Sequence, residues 1–132
     1  MSDIVVKKEQ KLMHLLHGKQ GKLEIPKPFS HEIFLFDTHI AGTTYISEME
    51  EIEKKLQVGE TLNFFREPKN SFDEQAIVIK TLEGVRLGYV PKVDNIIFAR
   101  LMDAGKNLFA RISEKKKQGK WIKIEIKVFL RD

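Results

Sequence analysis

The chain has 132 residues, 42% of them hydrophobic and 32% charged, which fits one domain with a core of its own and excludes disorder over the whole length. It has no cysteine, so a disulfide framework, a thiolate metal site and a cysteine nucleophile are excluded, and a reducing compartment is expected. The net charge of +4 sits mostly in residues 1–29, where six lysines face Asp3, Glu9 and Glu24; the rest is nearly neutral, too little for a clamp on duplex DNA.

In chain order, Met1–Lys8 holds three consecutive apolar residues before its lysines, too few for a signal-peptide core. No apolar run approaches the roughly 18–20 residues that span a bilayer. The expectation is a cytoplasmic protein with no membrane partner. Residues 3–18 have helical periodicity, with Ile4, Val5, Leu12, Leu15 and Leu16 on one broad face. Gly18 and Gly21 stop that helix, and Pro26 and Pro28 keep the chain extended, so 1–29 reads as an arm and 30–132 as the domain.

Ile33–Ala41 is β-branched and aromatic and predicts the first strand. Gly42-Thr43-Thr44-Tyr45 breaks it. Ser47, with Glu50 three residues on, has the pattern of a capping box for a short helix running to Leu56. Leu62–Arg66 predicts a second strand. Ala76–Lys80 and Val85–Val90 predict a hairpin across Thr81-Leu82-Glu83-Gly84. Residues 94–104 predict a helix capped by Asp94 and stopped by Gly105, with Ile97, Leu101 and Ala104 inward beside Ile96. Leu108–Ile112 and Trp121–Leu130 complete the sheet. In the last strand Ile122, Ile124, Ile126 and Val128 alternate with Trp121, Lys123, Glu125 and Lys127, so one face is buried. Lys115-Lys116-Lys117 reads as a solvated hairpin tip. About six short strands with short helices make a mainly β, α+β architecture, a small curled barrel.

The stretch Arg66-Glu67-Pro68-Lys69-Asn70-Ser71-Phe72-Asp73-Glu74-Gln75-Ala76-Ile77 joins two strands through a loop dense in turn formers. Phe72 stands out there. An aromatic in so polar a turn either plugs the barrel mouth or offers a flat face to a ligand. Asp73 either caps the loop or meets a ligand, and the two roles can coexist. Arg66 is expected to pair with Glu67, Asp73 or another nearby acid. Leu87, Tyr89, Val78 and Trp121 read as core or barrel edge.

Five ordered motifs, Gly42-Thr-Thr-Tyr45, Gly59-Glu-Thr-Leu62, Arg66–Ile77, Gly84-Val-Arg-Leu-Gly-Tyr-Val-Pro91 and Leu101-Met-Asp-Ala-Gly105, resemble the HIRAN domain over roughly residues 33–130. That family occurs at the front of Rad5-like DNA remodellers and in small bacterial proteins. The resemblance implies an OB-like barrel that captures the 3′-hydroxyl end of single-stranded DNA. Carried onto this chain, it implies a pocket between the Gly42–Tyr45 and Asn70–Asp73 loops. Tyr45 and Phe72 would stack on terminal bases, and Asp73 would accept the terminal hydroxyl. Asn70 would meet a base edge or the loop backbone, while the N–H groups of Thr43 and Thr44 and the side chain of Lys92 would meet a phosphate. Two positions depart from the pattern: Phe72 replaces a frequent tyrosine, and Thr44 stands where remodeller members tend to carry an arginine.

No catalytic constellation accompanies these residues. His14 and His17 lie three apart without a third ligand at useful spacing, and there is no phosphate-cradling glycine loop or nucleophile elbow. A non-enzymatic module without metal or cofactor is therefore expected, its partner single-stranded DNA in repair, replication or restriction. The alternative is a protein-interaction module that has lost end binding and forms a homodimer or meets a protein partner through residues 3–18.

Overall fold

The computed structural model describes His31–Asp132. The arm, its predicted helix and the His14/His17 pair lie outside the described residues. Six strands and two helices follow in order: β1 (Glu32–His39), α1 (Met49–Lys55), β2 (Thr61–Arg66), β3 (Ile77–Thr81), β4 (Arg86–Tyr89), α2 (Lys92–Asp103), β5 (Asn107–Gln118) and β6 (Trp121–Arg131). A single turn of 3-10 helix, Thr43–Tyr45, stands between β1 and α1.

Every strand pairing is antiparallel, and the order across the sheet is β1-β6-β5-β2-β3-β4. The continuation of β1 then meets β4. Ala41 N–H donates to the Tyr89 carbonyl at 2.7 Å, and Tyr89 N–H donates to the Ala41 carbonyl at 2.9 Å. One rung therefore joins the two margins of the sheet, and the result is an OB-like half-barrel. Gly88 makes this approach possible: its φ is +151°, and a Cβ there would lie 2.3 Å from the Ala41 carbonyl oxygen. No larger residue fits that gap without backbone movement.

Alternation fills the interior. Ile122, Ile124, Ile126 and Val128 of β6 are buried while Trp121 and Lys127 face outward. Leu62 and Phe64, Ile77 and Ile79, Leu87, and Ile112 complete the core from the other strands. Each such side chain contributes roughly 1.5–3 kcal/mol of burial.

Four local expectations need correction. The β5–β6 hairpin is longer than its apolar pattern suggests, so Lys115–Lys117 belong to β5 and the tip is Gly119-Lys120. A register shift between Ile112 and Glu114 re-aims Lys115, whose Nζ donates to the carbonyls of Glu53 (2.9 Å) and Leu56 (2.5 Å) and pairs with Glu53. Lying at the C-terminal end of α1, where carbonyls concentrate negative charge, they make the cation part of the fold. Ser47 does not cap α1. The helix follows Glu48, held at φ 61°, because burying Met49 sets its direction.

In α2 the start is Pro91, whose carbonyl accepts the N–H groups of Asp94 and Asn95, so Asp94 lies in the first turn and accepts Thr38 Oγ1 at 2.8 Å. The inward face is Asn95, Phe98 and Ala99, leaving Ile97 and Ala104 exposed and Ile96 half out. Phe98 packs edge-on to Phe36, and Asn95 has a polar partner beneath the helix; these contacts, not mean apolarity, set the helix rotation.

Candidate nucleic-acid interface

The Glu67–Gln75 loop is built by its own polar side chains. Asn70 Oδ1 accepts the N–H groups of Phe72 (2.8 Å) and Asp73 (3.1 Å), a turn that short amide side chains favour. Asn70 Nδ2 donates to Glu67 Oε1, which also accepts the Tyr89 hydroxyl at 2.6 Å. Asp73 Oδ1 accepts the Gln75 N–H at 2.9 Å, and its Oδ2 accepts the Asn95 amide at 2.7 Å. Strand β4 and helix α2 thus hold the loop from two sides. With its polar groups satisfied internally, the loop leaves the Phe72 ring in solvent, 92% exposed. It is no barrel plug.

Across from it, Gly42 takes φ +78° to turn the chain out of β1, and Thr43 Oγ1 donates to the Ile122 carbonyl at 2.8 Å, pinning the turn to β6. Tyr45 follows at 90% exposure. A concavity of about 810 Å³ lies between the two loops, lined by Tyr45, Asn70, Phe72, Asp73 and Lys92 among the residues expected from sequence. Thr43 and Thr44 do not line it. They border a separate hollow beside Ile122 and Lys120, and the Thr43 side chain is committed to holding the turn.

Arg86, Tyr89 and Asn95 also line the concavity, and sequence reasoning missed them as site residues. Tyr89 reads as core or barrel edge in the strand pattern, yet its hydroxyl joins Glu67 while the Arg86 guanidinium donates to it and lies 4.8 Å over its ring. A signal for Asn95 existed: an amide on the inward face of a helix needs a partner. Arg66 turns away and pairs with Asp103 at 2.9 Å, as expected of a residue seeking an acid, though with neither Glu67 nor Asp73.

The electrostatics follow from these bonds. The Asn95 amide, then the Gln75 N–H, hold the Asp73 carboxyl below its ordinary range, with smaller help from the charges of Lys92 and Arg66. The Tyr89 hydroxyl does the same for Glu67, with Asn70 and Arg86 adding to it. Burial, then the bond to Glu67, pushes the Tyr89 phenol up. At neutral pH the site therefore presents ionised, acceptor-only carboxylates beside two cations and two bare rings.

Residues 33–131 match the family model of the HIRAN domain. The chain belongs to the HIRAN domain family. Two solved structures resemble this HIRAN domain. A protein from Lactobacillus plantarum, a structural-genomics target, is 25% identical with a TM-score of 0.72, covering 78% of this chain and 98% of its own. The HIRAN domain of human HLTF shares the fold at 16% identity and a TM-score of 0.60, covering 76% of this chain and 78% of its own. Among curated proteins no match was found. HIRAN domains are binding domains, generally non-catalytic, and this one is a nucleic-acid-binding module. No helix among the described residues is long and apolar enough to cross a membrane.

Proposed function

We propose that this HIRAN domain grips an unpaired end of single-stranded DNA, its 3′-hydroxyl end, in the service of DNA repair, replication or restriction. The observation that carries the reading is the pair of bare rings, Tyr45 and Phe72, on opposing loops of one concavity. Large aromatics left this exposed add nothing to the core, whereas a base stacked on each contributes about 1–3 kcal/mol whatever its identity. Asp73 supplies the end preference. Among the described residues its carboxylate has an unused lone pair on each oxygen beyond the Gln75 and Asn95 bonds, so it welcomes a sugar hydroxyl and repels a terminal phosphate. Lys92 lies within the same lining for a backbone phosphate.

The exposure of Phe72 favours this reading over the protein-interaction alternative, whose expected contact, residues 3–18, lies outside the described residues. The test is fluorescence anisotropy with short labelled strands ending in 3′-hydroxyl or 3′-phosphate, at several salt concentrations. The hydroxyl strand binds more tightly, with a shallow salt slope near about −1.4 to −2, as two or three phosphates require. Failure of any single strand to bind in dilute buffer sinks the reading.

A further inference from the structure

The concavity continues past Tyr45. A second hollow of about 450 Å³ shares Gly42, Tyr45, Arg86 and Tyr89 with the first and extends over Ile46 and Ser47. Tyr45 and Arg86 therefore stand on the divide between two adjoining sites. A strand with its terminal base in the first hollow must carry its next phosphodiester across that divide.

Arg86 is equipped to meet it. It is exposed, lines both hollows and makes no ion pair among the described residues. Glu67, the acid its charge acts on, gives its Oε1 to the Tyr89 hydroxyl and the Asn70 amide rather than to the guanidinium. The guanidinium is steadied by its stack on the Tyr89 ring and one hydrogen bond to that residue's hydroxyl, which leaves the rest of its donor fork open. A side chain ordered beforehand loses little freedom when it binds. The Gly42–Ser47 segment has no lysine or arginine of its own, and Lys92 reaches only the first hollow.

The geometry points to a second nucleotide subsite, in which the strand passes Tyr45 into the adjoining hollow and Arg86 holds the phosphate linking the last two nucleotides. This rests on the single-strand reading above. It is tested with short oligothymidylates, unmodified or bearing one uncharged methylphosphonate at successive linkages from the 3′ end. R86Q weakens the unmodified strand about tenfold at low salt. Its single-strand salt slope becomes shallower by about 0.7, the share of one phosphate. R86K keeps the wild-type slope, and both variants keep the preference for hydroxyl over phosphate. A methylphosphonate at the last linkage costs the wild type about the same tenfold and costs R86Q nothing further.

Wild-type affinity and slope in R86Q, or a methylphosphonate penalty undiminished by R86Q, overturns the subsite while leaving single-strand binding in place. A wild-type protein indifferent to methylphosphonate at that linkage overturns it too, whether or not R86Q folds. A wild type that binds no strand at all removes the function reading first and the subsite with it.

Discussion

Lys115 and Arg86 are two cations on strands of one sheet, and the protein treats them in opposite ways. Lys115 is 21% exposed at its side chain, donates to two carbonyls at the end of α1 and pairs with Glu53. Its neighbours are settled likewise, Lys117 facing Glu50 and Lys116 facing Glu114 and Glu125. Arg86 has a ring and a hydroxyl for company and makes no ion pair among the described residues, though its charge reaches Glu67, and bare rings stand nearby. Of the two, only the charge that the fold leaves without an ion pair is available to a ligand.

If that contrast is right, changes near Lys115 move stability and spare affinity, and changes near Arg86 do the reverse. Gly88→Ala is the exception that touches both, because it lies at the rung where the sheet meets itself. A Cβ 2.3 Å from the Ala41 oxygen and 2.7 Å from Ile40 Cγ2 forces the seam apart. The expected cost is about 2–3 kcal/mol in denaturant unfolding, with DNA binding lost alongside. A variant of wild-type stability would show that the rung contributes nothing.

Phe72→Ala and Tyr45→Ala come next, each weakening single-strand binding by about 1–3 kcal/mol in anisotropy titrations. Their unfolding midpoints stay at the wild-type value, since neither ring is packed. Lys115→Met is the mirror image: about 1–2 kcal/mol less stable, because the Leu56 carbonyl and the Glu53 carboxylate lose the ammonium, with unchanged DNA affinity. An affinity loss there would break the contrast.

The smallest effect is at acid pH. Asp73 and Glu67 have folded-state pKa values below their ordinary ones, so their contribution is complete above the ordinary carboxylate range, about pH 4–5. It is lost as pH falls through that range and on through the depressed values. Asp73→Asn and Glu67→Gln should each flatten this acid limb in a series of denaturant titrations from neutral pH downward. At neutral pH, Asp73→Asn should also narrow the preference for 3′-hydroxyl over 3′-phosphate, and an unchanged preference would count against the carboxylate's role.

Much of the architecture was legible because period-two alternation is a local property. All six strands were anticipated, and the loop holding Asn70, Phe72 and Asp73 announced itself by turn chemistry around a lone aromatic. What escaped was set by contacts distant in sequence. The rotation of α2 depends on Asn95 reaching Asp73, 22 residues away, and Phe98 meeting Phe36. The extension of β5 through three lysines is sustained by β6 and by α1, whose carbonyls take Lys115. Tyr89 read as core or barrel edge, not as a site residue, because a strand pattern reports which face a residue is on, not whether its hydroxyl finds an acid on a loop. Ser47 had cap chemistry but lost to the need to bury Met49.

The single rung between Ala41 and Tyr89 has a mechanical consequence. Gly42 leads from one side of it to the Tyr45 turn, while Tyr89 on the other side tethers Glu67 and through it the Phe72 loop. The relative position of the two loops is set by the rung's two hydrogen bonds together with the Thr43–Ile122 and Asn95–Asp73 bonds. The rung therefore couples the two loops, so that a shift on one side of it is passed to the other.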